Sequence, residues 1–232
     1  MNGTNPEWDH VLSAAARLQE LVPDAVLVGG TAAAQHAGHR VSFDDDHVLA
    51  DLRDRFDQLL DDLESTDGWI TARTRRPVLI LGSLDGVETG IRQLIRRRPL
   101  EVESMTVPSR GTICVPTLEE MARIKAWLVL KRNATRDYLD VIALADRLGD
   151  AAAGVLAGID DYYGDQIGPG GQRVSTQLAR QLAEPLPYDL SEVDLDAYRR
   201  LDARWQDWNT VAAECRELAT AMLDRVARGE RP

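Results

Sequence analysis

A short apolar run, residues 25–28, ends in Gly29-Gly30-Thr31, and this junction constrains the fold of the 232-residue chain more than any other segment. A run of that length closed by glycine reads as a buried strand. Glycine has no Cβ, so the backbone can turn sharply or fold closely around phosphate oxygens. Thr31 offers a hydroxyl and the start of a short helix over 31–37, stopped by Gly38. The next strand is expected over 40–46 and carries Asp44-Asp45-Asp46. In extended chain, residues two apart share a face, so Asp44 and Asp46 can reach one cation. Magnesium takes carboxylate oxygens and keeps substrate phosphates as further ligands. The glycine turn and the carboxylate pair together describe a metal–nucleotide site; the plainer alternative is a strand-to-helix turn followed by a solvated acidic loop.

Around this junction the pattern is mixed. Trp8, Val11, Leu12, Ala15, Leu18 and Leu21 recur at helical spacing over 6–22, and Leu52, Phe56, Leu59, Leu60 and Leu63 do so over 49–63. Strands are expected at 70–74, 78–81 and 87–91, with a turn over 82–86. A further pair over 100–107 and 112–115 is joined by Pro108-Ser109-Arg110-Gly111. From Pro116 the pattern turns helical. Thr117 and Glu120 read as a capping box, a break is expected at Asn133, a helix over 135–148 stops at Gly149, and a long helix is expected over 195–228. The organisation predicted is an α/β part over 1–115 and a helical region over 116–232 that contributes to the active site.

Composition narrows the class. No apolar run approaches the ~20 residues needed to span a bilayer, and the first residues have neither the basic nor the apolar part of a signal peptide. Cys114 and Cys215 form no Cys-x-x-Cys pattern, which suits a reducing compartment. The expected location is the cytoplasm, with no membrane partner. A net charge of −11 argues against nucleic acid, yet residues 70–140 hold thirteen Lys and Arg against eight Asp and Glu, a local net of +5. Such an excess suits a triphosphate or RNA, while an ordinary mixed surface is the plainer reading.

A second polar cluster comprises Lys125 and the run Lys131-Arg132-Asn133-Ala134-Thr135-Arg136-Asp137-Tyr138-Leu139-Asp140. Asp137 and Asp140 share a helical face. Nucleotidyl transfer needs positioning and charge stabilisation more than covalent work from the protein; Lys125 suits a triphosphate and Asp137 a proton acceptor. A salt-bridge network between helices is the structural alternative. A third metal carboxylate stays open among Glu88, Asp85, Glu101 and Glu103, with Glu88 slightly favoured. His36 and His39 permit a zinc site, though lone histidines are more often structural.

These four motifs, Gly29-Gly30-Thr31, Gly38-His39-Arg40-Val41-Ser42-Phe43-Asp44-Asp45-Asp46, Lys125, and 132–140, resemble in order the nucleotidyltransferase-like toxins of the AbiEii/AbiGii abortive-infection group, which includes the mycobacterial MenT toxins. The resemblance covers about 26–148. It implies an α+β fold: a polymerase-β-like core with a mixed sheet and flanking helices, then a helical C-terminal region. It also implies that Asp44 and Asp46 hold Mg2+ or Mn2+ and act in catalysis with Lys125 and Asp137. Gly29, Gly30, Thr31, Arg40, Ser42 and Lys125 would bind the nucleoside triphosphate. The expected activity is transfer of a nucleotide to an acceptor hydroxyl, most plausibly on tRNA, by a toxin neutralised by a cognate antitoxin. A small-molecule acceptor and an inactive nucleotide- or partner-binding module are the alternatives. One departure stands out. Where the group has aspartates alternating with apolar residues, this chain has Asp45 and then His47, and a charge buried there is costly unless the strand lies at a solvated edge.

Overall fold

A computed structural model describes residues 6–107 and 110–228. The chain divides into two compact units, one made of Met1–Ala32, Ser42–Ile95 and Pro99–Thr117, the other of Ala33–Val41, Arg96–Arg98 and Leu118–Pro232.

The first unit begins with α1 (Pro6–Leu21) and β1 (Val26–Val28), and α2 (Gly29–Ala37) starts within it. It continues with β2 (Asp45–Leu49), α3 (Leu52–Glu64), β3 (Trp69–Arg75), β4 (Leu79–Leu84) and β5 (Val87–Gln93). The sheet has the order β1-β2-β5-β4-β3. β2 and β5 are parallel and the other neighbours antiparallel, so the sheet is mixed. β6 (Val102–Val107) and β7 (Gly111–Pro116) form an antiparallel pair of their own; Pro108 and Ser109 of the expected turn lie outside the described residues.

Burial follows the sequence period. Leu52, Phe56, Leu59, Leu60 and Leu63 line one side of α3 and join Leu18, Ile80, Leu84 and Ile91 in the core. Each such side chain stabilises the unit by about 1.5–3 kcal/mol relative to exposure. β4 alternates, with Ile80, Gly82 and Leu84 inward. At Gly82 a Cβ would lie 2.6 Å from the Trp69 ring, so glycine there lets the indole lie against the strand. Asp85 (φ 53) and Gly86 (φ 82) make the two-residue turn to β5, as Asp-Gly pairs do in twisted hairpins.

The strand expected over 40–46 begins only at Asp45 and runs on to Leu49. The residues before it bond elsewhere: the Val41 N–H donates to the Arg199 carbonyl at 3.0 Å, and the His39 carbonyl accepts from the Asp202 N–H at 2.8 Å. Backbone committed in this way cannot join a sheet ladder.

The second unit is helical: α4 (Leu118–Arg132), α5 (Thr135–Leu148), α6 (Ala152–Ala157), α7 (Asp160–Tyr163), α8 (Val174–Ala183) and α9 (Trp208–Ala227). Asn133, at φ 50, separates α4 from α5 at the expected break. Trp127 stacks on Tyr163 at 4.7 Å, and Tyr138 meets Trp208 edge-on at 5.8 Å. The Thr117 N–H donates to the Glu101 carbonyl at 2.8 Å, while the buried Glu120 carboxylate pairs with Arg96 and, at 3.2 Å, with Arg123. The long helix expected from 195 begins only at Trp208. Asp194, Asp202 and Asp207 each accept from backbone N–H groups just ahead of them, which favours short turns over a continuous helix. Cys114 and Cys215 are free thiols. Among the described residues no helix is long and apolar enough to cross a membrane.

Candidate functional site

In the first unit the acidic triplet straddles the start of β2. Asp44 is exposed, Asp45 is 1% exposed and Asp46 is half-buried, so the outer two acids face away from the core and the middle one faces into it. Two glycines flank Asp46. A Cβ at Gly29 would sit 3.0 Å from the Asp46 Cβ and 3.1 Å from its Oδ2; one at Gly90, beside Asp46 in β5, would sit 2.8 Å from its Oδ1. Gly29, at φ 75, opens α2 at the end of β1, so any side chain there would be strained as well as crowded. The Thr31 hydroxyl donates to the Asp44 carbonyl at 2.7 Å and thereby ties the helix start to the triplet. Gly30 is half-buried in the first turn of α2, and Ser42 is buried.

Among the described residues no third carboxylate is grouped with this pair. Glu88 is exposed on β5, Asp85 pairs with Arg17, and Glu101 and Glu103 lie at β6. Among the described residues no group of three or more His, Cys, Asp or Glu side chains is placed to hold a metal. Asp46 has a cation instead: Arg92 Nε donates to its Oδ1 at 3.2 Å. Sequence reading missed Gly90 and Arg92. The available signal was a glycine inside the run Val87-Glu88-Thr89-Gly90-Ile91-Arg92, since glycine within a strand marks close approach.

Asp45 and His47 point inward from the same strand. β2 lies between β1 and β5, so the solvated edge that would have relieved a charge here is absent. Both Asp45 oxygens and both His47 ring nitrogens are buried without hydrogen-bond partners. Burial, reinforced by Asp46 and Asp44, pushes the Asp45 carboxyl well above its ordinary range. Burial lowers His47 to about 4 against the opposing pull of Asp46. His47 is therefore neutral at neutral pH, and for Asp45 burial likewise favours the uncharged form.

In the second unit the cluster centres on Asp140. Lys125 Nζ lies 2.7 Å from Oδ2, Arg40 reaches both oxygens at 2.8 and 3.1 Å, and His39 Nε2 lies 2.7 Å from Oδ1; Lys125, His39 and Asp140 are buried and Arg40 is half-buried. Burial pushes Asp140 up, but Arg40 and Lys125, with the His39 hydrogen bond, outweigh it and hold the group well below the usual carboxylate range. Lys125, Arg40 and His39 thus share one carboxylate. Asp137, one turn earlier on α5, is fully buried, and among the described residues neither of its oxygens has a hydrogen-bond partner. Burial raises its pKa against the pull of Lys125 and Arg132.

No family model matches the chain. Over its full length it superimposes on the whole chain of a candidate nucleotidyltransferase from H. pylori, with a TM-score of 0.58 at 16% identity. That likeness establishes a nucleotidyltransferase-like α+β fold. In sequence the chain is 33% identical over 227 residues, 92% of its length, to the heme uptake protein MmpL11 of Mycobacterium tuberculosis. It is 36% identical over 130 residues, 56% of its length, to the mycolic acid-containing lipids exporter MmpL11 of Mycolicibacterium smegmatis. The chain spans only 22% and 13% of the length of these curated relatives.

Proposed function

We propose that the chain is a metal-dependent nucleotidyltransferase of the AbiEii/AbiGii type. In the reaction an acceptor hydroxyl oxygen bonds to the α-phosphorus of a nucleoside triphosphate, the α–β phosphoanhydride breaks, pyrophosphate leaves, and the hydroxyl proton passes to a carboxylate. The observation that carries the reading is the Asp46 carboxylate, kept uncovered by Gly29 and Gly90, with Asp44 outward beside it. That cradle fits Mg2+ or Mn2+, which Asp44 and Asp46 would hold and which would neutralise developing phosphate charge. The first turn of α2 offers backbone N–H groups to the phosphates, and Arg92 orients Asp46. Asp137, buried with its oxygens unpaired and its pKa raised, suits proton acceptance. The favoured acceptor is tRNA and the favoured setting a toxin held by an antitoxin.

The test is incubation of the purified protein with α-labelled triphosphates, Mg2+ and tRNA. Label retained on tRNA with pyrophosphate release, both abolished in Asp46→Asn, is the expected result; label on small molecules alone would reject the RNA acceptor. The sequence likeness to MmpL11 supports a second reading, in which the chain is a nucleotide-binding module serving a heme or lipid transport protein without turnover. Triphosphate binding by calorimetry with no pyrophosphate over long incubation would favour it.

A further inference from the structure

In the second unit the loop after α8, residues 184–190, displays Leu186 and Tyr188 at 71% and 70% exposure, the two most exposed large apolar side chains among the described residues. Exposed apolar side chains commonly sit on loosely held chain, but this loop is clasped. Asn133 Nδ2 donates to the Leu186 carbonyl at 2.8 Å, and the Tyr188 N–H donates to the Asn133 carbonyl at 3.0 Å. Asp189 accepts from the Thr135 N–H and hydroxyl, each at 2.8 Å. The Asn133 side-chain oxygen accepts in turn from the Tyr138 hydroxyl at 2.6 Å and Gln181 at 2.7 Å. Pro185 and Pro187 stiffen the strap further.

The residues flanking the clasp are cations. Lys131, Arg132 and Arg136 are exposed at the end of α4 and the start of α5. Lys131 is held over the Trp127 ring at 4.3 Å, and neither Arg132 nor Arg136 makes an ion pair among the described residues. Of the nearby acids, Asp189 is occupied with Thr135, Glu184 is exposed, and Asp137, which feels the charge of both Arg132 and Arg136, is buried and makes no ion pair with them among the described residues. A solvent-facing aromatic ring carried on a clasped backbone, on the same stretch as backbone-binding cations, is the chemistry that holds single-stranded nucleic acid: a base stacks on the ring while phosphates meet the charges.

We propose that Tyr188, with Leu186 beside it and Lys131, Arg132 and Arg136 around the Asn133 clasp, forms a stacking platform for an unpaired base of an RNA strand. This deepens the nucleotidyl-transfer reading and rests on it for the choice of RNA as partner. The experiment is fluorescence anisotropy of the full chain with a short labelled single-stranded oligoribonucleotide, without triphosphate, alongside a separate pyrophosphate-release assay. Tyr188→Ala should weaken binding about tenfold, within the range of one lost base–aromatic stack. Tyr188→Trp should keep wild-type affinity, and Arg132→Gln should weaken binding and flatten its salt dependence. Asn133→Ala should weaken binding by freeing the loop. Equal affinity of wild type and Tyr188→Ala overturns the platform, and is also the result expected if Tyr188 anchors a protein. The two failures are distinguishable. Normal pyrophosphate release with unaltered RNA binding in Tyr188→Ala removes the platform alone, whereas absent release with Tyr188-dependent binding removes the catalytic reading and leaves the platform.

Discussion

Asp137 and Asp140 lie one turn apart on α5, both without exposed surface, and their surroundings are opposite. Asp140 is met by Lys125, Arg40 and His39, whereas neither oxygen of Asp137 has a hydrogen-bond partner. A carboxylate saturated by cations acts as scaffold, because removing it strands the charges gathered around it. A buried carboxylate left unsatisfied costs stability, and groups of that kind concentrate at functional sites. Sequence alone treats these two as equivalent acids on one helical face; packing makes them different instruments.

The largest effect expected is that of Asp140→Asn, which leaves buried Lys125 and Arg40 uncompensated and should cost about 3–5 kcal/mol in chemical denaturation. Its pH dependence sharpens the contrast. Asp140 has a lowered folded pKa, so its contribution is complete above the ordinary value of 3.8 and lost as pH falls through the lower folded value. The gap between wild type and variant should therefore stay constant from neutral pH down to about the ordinary carboxylate value and close only below it. A gap that closes near neutrality would mean that Asp140 is not the anchor.

Asp137→Asn should move the other way, raising stability relative to wild type as pH rises, because an amide cannot ionise in the buried site, while abolishing pyrophosphate release. The sign follows from its raised folded pKa: between 3.8 and that value the folded chain holds a proton that the unfolded chain has released, so wild-type stability falls as pH rises. Equal stability of variant and wild type across pH would break the comparison. The smallest effect belongs to Arg204→Gln. Arg204 pairs at 2.7 Å with both Asp146 and Glu214, but its side chain is 45% exposed. Its loss should change stability by less than about 0.5 kcal/mol and even less in high salt.

Legibility in the sequence followed how local each determinant is. The α3 stripe, the strands around Asp85-Gly86 and the break at Asn133 were readable, because hydrophobic period and turn chemistry set them over a few residues. The start of β2 was not, since Val41 and His39 bond to Arg199 and Asp202, more than 150 residues onward. Nor was the pairing of Glu120 with Arg96, a partner no local pattern announces. In the candidate site the Asp44–Asp46 alternation was legible from spacing. Its completion by Gly90 and Arg92 was not, because parallel pairing of β2 with β5 joins segments more than 40 residues apart.

The anchoring of Asp140 also bears on how such a chain can be inherited. Two of its three partners, His39 and Arg40, come from a segment far upstream of the helices that carry Asp140 and Lys125. A recombination event joining a foreign N-terminal part at residue 117 would deliver the helical region with Lys125 as the one remaining ion-pair partner of a buried acid among the described residues. A crossover at that seam would therefore break the buried cluster, which makes the segment 39–40 and the helices α4 and α5 one physical block.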